Sequence, residues 1–264
     1  MPLRTPSEIL AEATKSGQAK YNKTTRNNFG LLAMGSVLAG AYIALGGALS
    51  IIIGFGFPEF TASNPGLQRL LSGLVFPLGL MLVVVLGADL FTGNNALLIP
   101  STLQRNSKAS KVLLNWFFVW LGNFAGALLV AYFLVYLTGI FAAPPYSEAV
   151  AKIAQGKMQS SFSVIFLKGI GANWCVCLAI WLALSGRRLG EKLLACEIPV
   201  MAFVALGYEH CVANMFFLPL ATMLGYPLGF ADMLTSNILP ATLGNIVGGA
   251  LFVGATQYYM YRKG

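Results

Sequence analysis

Six stretches of the chain, 29–57, 70–99, 112–140, 164–184, 198–224 and 239–261, are apolar over lengths that carry a helix across roughly 30 Å of hydrocarbon. Short turns holding most of the charged residues separate them. Ahead of the first stretch the chain is polar, and TPSEIL places Thr5 as helix cap, Pro6 at the first helical position and Glu8 three residues after the cap. That is a capping-box start. It predicts a basic amphipathic helix from 6 to about 28, lying at a surface. The first 28 residues contain no apolar core of signal-peptide length, so the first inserted helix is expected to be retained. The pattern predicts an all-α membrane protein, with a cytoplasmic N-terminal amphipathic helix over 1–28 and a six-helix transmembrane domain over 29–264.

Composition agrees: 57% of residues are hydrophobic and 10% charged, which excludes a soluble domain. The formal charge of +8 does not imply a nucleic-acid partner, because the basic residues stand singly at the ends of apolar stretches. Thirteen of the 17 fall in segments on one side of the predicted bundle, and only Arg69, Lys152, Lys157 and Lys168 on the other. The positive-inside rule then places both termini in the cytoplasm and the chain in the cell inner (plasma) membrane, multi-pass. Cys175, Cys177, Cys196 and Cys211 show no disulfide or metal-site spacing and read as small buried hydrophobes. No cofactor or metal is expected.

The second and fifth stretches are interrupted, and the interruptions match. Gly87-x-Asp89-x-x-x-Gly93-Asn94 is repeated as Gly207-x-Glu209-x-x-x-Ala213-Asn214, and the third and sixth stretches share Leu-Gly-Asn-x-x-Gly at 121–126 and 243–248. A repeat of three crossings must enter the membrane in opposite senses, so the six helices form a 3+3 inverted repeat with broken second and fifth helices. Polar breaks at mid-membrane depth are tolerated where they line a cavity, and half-helix N-termini there favour an anion.

Asp89, Glu209, Asn94 and Asn214 read either as caps of the broken ends or as substrate contacts. His210 is the only histidine and falls at the second break, where an ionisable group marks an ion or proton pathway. Lys157 reads as a vestibule charge that draws anions in, or as a snorkelling helix end. Phe76, Phe91 and Phe203 flank the breaks as packing or as gates. Gly122 with Gly126, and Gly244 with Gly248, predict close helix contacts.

These segments resemble the formate–nitrite transporters, a family of formate, nitrite and hydrosulfide channels with some lactate carriers. The resemblance runs through FPLGLMLVVVLGADLFTGNN, NWCVCLAIW, GYEHCVANMFFLP and NILPATLGNIVGG. It implies a homopentamer with one pore per protomer, an aquaporin-like helix arrangement and transport of small monovalent anions or their acids, formate first. It also implies that Thr92 and His210 face each other across a central chamber. Phe76 and Phe203 would form the outer constriction, Leu80, Leu90 and Phe91 the inner one, with Lys157 and Asn173 near the pathway. After Thr92 the chain reads Gly-Asn-Asn, closer to hydrosulfide channels and other formate carriers than to the enterobacterial formate channel.

An anion crossing two apolar constrictions loses its hydration, whereas its neutral acid does not carry that cost. The expected mechanism brings a weak-acid anion in through Lys157 and the half-helix ends, with a proton relayed through or controlled by His210. The alternative is anion conduction with His210, Thr92 and Asn173 as hydrogen-bond donors. An intramembrane enzyme is disfavoured by the lack of a nucleophile–base set. A structural or sensory scaffold gives no reason for two matched polar breaks.

Overall fold

The computed structural model describes residues 3–263. Its principal helices fall into two sets of five. The first set is α1 (Pro6–Lys23), α2 (Phe29–Phe55), α3 (Pro65–Leu86), α4 (Phe91–Leu103) and α5 (Ala109–Tyr136). The second is α6 (Tyr146–Met158), α7 (Phe162–Ser185), α8 (Leu189–Ala205), α9 (Cys211–Met223) and α10 (Phe230–Tyr261). Helices α2, α3, α5, α7 and α10 are each apolar and long enough to cross a membrane, while α8 and α9, of 17 and 13 residues, cross as a pair. With α4 continuing α3, the second and fifth crossings are the broken ones.

Several helices begin earlier than the apolar pattern predicts. Helix α3 starts at Pro65, α8 at Leu189 and α10 at Phe230, because polar first turns such as Gln68-Arg69 and Glu191-Lys192 stay helical beyond the hydrocarbon. At α1 the capping box is formed: the Glu8 N–H donates to Thr5 Oγ1 (3.4 Å) and the Thr5 N–H to Glu8 Oε2 (2.7 Å). Helix α6 lies in a segment outside the six predicted crossings.

Each broken crossing turns at a glycine in the left-handed region, Gly87 (φ 74°) and Gly207 (φ 69°), a conformation costly for any residue with a Cβ. The small residues of the repeated Leu-Gly-Asn-x-x-Gly motif clamp neighbouring crossings together. Gly122 and Gly126 of α5 press on Ser36 and the Val37 carbonyl of α2, and Gly244 and Gly248 of α10 press on the Phe166 and Ile170 carbonyls of α7. A Cβ at any of the four would collide.

Helix α1 is packed into the bundle. Gly17 sits against the Leu97 main chain of α4, and Arg4 donates to the carbonyls of Leu184 (2.8 Å) and Gly186 (3.1 Å) at the end of α7. It also touches the last turns of α10, so both described ends of the chain share one face, here the terminal face. The opposite one is the far face.

Candidate functional site

The broken helices expose backbone groups that must be satisfied inside the protein. At the first break the Phe91 N–H donates to Asn123 Oδ1 (2.8 Å), while Asn123 Nδ2 donates to the carbonyls of Ser36 (2.7 Å) and Asp89 (2.9 Å). At the second, the Cys211 N–H donates to Asn245 Oδ1 (2.9 Å), and Asn245 Nδ2 donates to the carbonyls of Gly169 (2.8 Å) and Glu209 (2.9 Å). One buried amide from α5 or α10 thus closes each turn and ties it to α2 or α7.

The acids at the breaks are held by lysines. Asp89, fully buried, pairs with Lys20 (2.9 Å) and Lys23 (2.7 Å) of α1, and Glu209 pairs with Lys157 (2.9 Å) of α6. Burial pushes the Lys20 ammonium below the usual lysine value, and the Asp89 carboxylate opposes that shift. An asparagine ladder repeats alongside. Asn94 Nδ2 donates to Asn115 Oδ1 (3.0 Å) and Asn115 Nδ2 to the Lys20 carbonyl (3.2 Å). Asn214 Nδ2 donates to Asn237 Oδ1 (2.6 Å) and Asn237 Nδ2 to the Lys157 carbonyl (3.2 Å). Asn214 Nδ2 also reaches Glu209 Oε2 (2.7 Å). Helices α1 and α6 are therefore equivalent members of the two halves, and the repeat contains five helices each.

The two breaks meet at Thr92 and His210. Thr92 Oγ1 lies 3.0 Å from His210 Nε2, with Thr92 fully buried and His210 at 2% exposure. His210 Nδ1 accepts the Ala213 N–H (3.2 Å), so in the neutral ring the proton is on Nε2, directed at Thr92. Among the described residues the Thr92 hydroxyl makes no other hydrogen bond, which leaves its own proton free to donate. Asn173 Nδ2 bonds the carbonyls of Thr92 (3.1 Å) and Asn245 (2.6 Å) and Asn95 Oδ1 (3.3 Å), joining both breaks behind this pair.

From the far face a cavity of about 670 Å³ leads down to His210, lined on the way by Phe76, Phe203, Lys157, Glu209 and Asn214. The Phe76 and Phe203 rings meet edge to face at 5.8 Å, and Phe203 stacks on the His210 ring at 5.8 Å and 23°. On the terminal face a smaller cavity of about 140 Å³ is lined by Lys20, Leu90, Asn94 and Lys192. Leu80 and Phe91, both 2% exposed, line neither cavity and sit in the packed layer between them. Among the described residues no group of three or more His, Cys, Asp or Glu could hold a metal.

The family model described as formate/nitrite transporter matches residues 7–259. The chain belongs to that family. A probable formate transporter of Methanothermobacter thermautotrophicus is 40% identical over 96% of this chain and 97% of its own. A formate channel of Bacillus thuringiensis is 37% identical over 100% and 98%. Among solved structures, a pentameric formate channel with formate bound has a TM-score of 0.80 at 30% identity, covering 90% of this chain and 99% of that one. An ion channel of the same family has a TM-score of 0.84 at 30% identity, covering 97% and 98%. Formate/nitrite transporters carry solutes across membranes and are not enzymes, and the fold here is theirs.

Within this family member, ten of the residues singled out from sequence fall into three groups, with Leu80 and Phe91 in the packed layer between the cavities. Thr92, His210 and Asn173 come together at the centre, Lys157, Glu209, Asn214, Phe76 and Phe203 surround the far-face cavity, and Asn94 with Leu90 borders the terminal-face one. The caps of the breaks are not the acids or Asn94 and Asn214, but Asn123, Asn245 and His210. Cys177 is more than a buried hydrophobe, since its thiol donates to the Thr92 carbonyl (3.3 Å). Asn123 and Asn245 stood in the repeated motif, and Asn115 and Asn237 recur at the same spacing, which is the signal that could have found them.

Proposed function

We propose that the chain is a formate channel or carrier, a homopentamer of the cell inner (plasma) membrane with both termini cytoplasmic and one pathway per protomer. Nitrite, hydrosulfide and lactate are the alternative substrates. The observation carrying this reading is the Thr92–His210 bond at the foot of the far-face cavity, behind the Phe76–Phe203 pair.

An anion entering that cavity meets an apolar ring. Even the mildest insertion scales assign about 2.5–3.5 kcal/mol to a charge at the bilayer centre. Uptake of a proton from water on the entry side converts it to the neutral acid, which passes the ring and returns the proton on the other side. His210 directs its Nε2 proton at Thr92, and the Thr92 hydroxyl offers a donor to the passing group. In this reading the His210 and Thr92 donors hold the passing group and control its protonation. A second reading, anion conduction without proton flux, is favoured by one specific contact. The Ala213 N–H occupies His210 Nδ1 and opposes a second proton on the ring.

The test is uptake by proteoliposomes of formate, nitrite, hydrosulfide, acetate and lactate, each with and without an imposed proton gradient. Formate uptake driven by the gradient is the expected result. Current without proton flux selects the second reading, and no uptake of any of the five overturns the assignment.

Phe203→Ala is expected to admit larger monocarboxylates such as lactate while keeping the native substrate, because the ring closes the cavity by bulk. The measurement is the size cutoff for uptake. Loss of folded protein with no change in cutoff would make Phe203 core packing, whose truncation costs about 3–5 kcal/mol.

A further inference from the structure

The far-face cavity is lined by six charged side chains, and their pairing is uneven. Arg69, Lys152 and Glu148 are exposed, and Lys157 is held by Glu209 at 2.9 Å. Lys168 remains. It lies six residues inside the start of α7, roughly 9 Å along the helix, and is half-buried. Its main-chain oxygen accepts the Glu209 N–H (3.4 Å), which seats the residue directly against the second break. Among the described residues its ammonium has neither an ion pair nor a hydrogen bond.

A half-buried cation within an apolar crossing is tolerated where it lines an aqueous cavity, and a mobile anion then supplies its counter-charge. The Lys157 charge is already balanced by a carboxylate at contact distance. Salt screens the exposed cations over about 8 Å at physiological ionic strength, whereas a half-buried one is screened less. We propose that Lys168, and not Lys157, supplies the free positive charge that holds the arriving anion in the far-face cavity. The inference rests on the reading that the chain transports small anions. It assigns Lys168 a specificity role that no contact of the Thr92–His210 centre requires.

The experiment is formate uptake by proteoliposomes at low and physiological salt for the parent protein, Lys168→Gln, Lys168→Arg and Lys168→Cys. Lys168→Gln is expected to raise the half-saturating concentration about tenfold, the scale of one partly buried unit charge acting over several ångströms. The maximal rate should hold and the salt dependence flatten, with Lys168→Arg restoring both. On assembled Lys168→Cys protein, an aminoethyl methanethiosulfonate adduct should lower half-saturation and a sulfonatoethyl adduct raise it. This arm compares two opposite charges on one assembled variant and so does not depend on the folding of Lys168→Gln. An unchanged half-saturation in Lys168→Gln, a fall in maximal rate alone, or no charge effect of the adducts overturns the proposal. Absence of uptake by the parent protein would instead remove the transport reading beneath it.

Discussion

His210→Asn is expected to assemble like the parent protein and to lose the pH dependence of uptake. An asparagine at this position can accept the Ala213 N–H in place of Nδ1 and so keep the cap of α9, but it is too short to replace Nε2 against Thr92 and cannot bind a proton. His210→Phe removes the cap as well. It leaves the Ala213 N–H and the Thr92 hydroxyl unpaired in a buried site, at about 1–3 kcal/mol each, and is expected to lower uptake more than tenfold. Uptake across a pH series, with and without an imposed proton gradient, checks both. If His210→Asn keeps the parent's rate and pH profile, His210 is a cap of α9 and protonation is controlled elsewhere in the pathway.

The second large effect is structural. Asn245→Leu removes the acceptor of the Cys211 N–H and the donor to the Gly169 and Glu209 carbonyls. Two buried backbone groups at the break, the Cys211 N–H and the Glu209 carbonyl, lose their partner, together about 2–6 kcal/mol at the usual cost of each, while the Gly169 carbonyl stays in the α7 ladder. The expected outcome is little or no folded oligomer, read by size-exclusion chromatography of the detergent extract. Asn123→Leu should behave alike, since it orphans the Phe91 N–H and the Asp89 carbonyl. Asn106→Leu, at an exposed position, is the control and should elute as the parent does. Normal yield and elution of both buried variants would mean that the turns are held without these amides.

The crossings and their two interruptions were legible because hydrophobic run length is a local property, and so is a glycine before an acid. The partners were not. Asn123 serves Phe91 from 32 residues away and Asn245 serves Cys211 from 34, so nothing beside either asparagine in sequence reveals its acceptor or donor. Adjacent glycines pointed to helix contact, which is correct for Gly122 and Gly126, and that reading obscured the amide between them. Lys157 illustrates a different limit. Its charge could be read from the sequence, but its ion pair with Glu209 depends on α6 folding back over the second break. The equivalence of α1 and α6 was also illegible. It rests on where the Lys20 and Lys157 carbonyls lie, a backbone property that side-chain identity does not encode.

The matched breaks differ in one respect with a wider consequence. At the cap position of α9 stands His210, which accepts the Ala213 N–H; at the cap position of α4 stands Leu90, whose side chain accepts nothing. A solute arriving from the far face therefore reaches a polar ring as soon as it clears Phe203, while one arriving from the terminal face must first pass a leucine. Detailed balance forces the opposing fluxes to be equal when no gradient exists, but it does not force the two mouths to fill at the same concentration. The fold supplies two entrances related by a pseudo-twofold axis, and a single imidazole makes them chemically distinct.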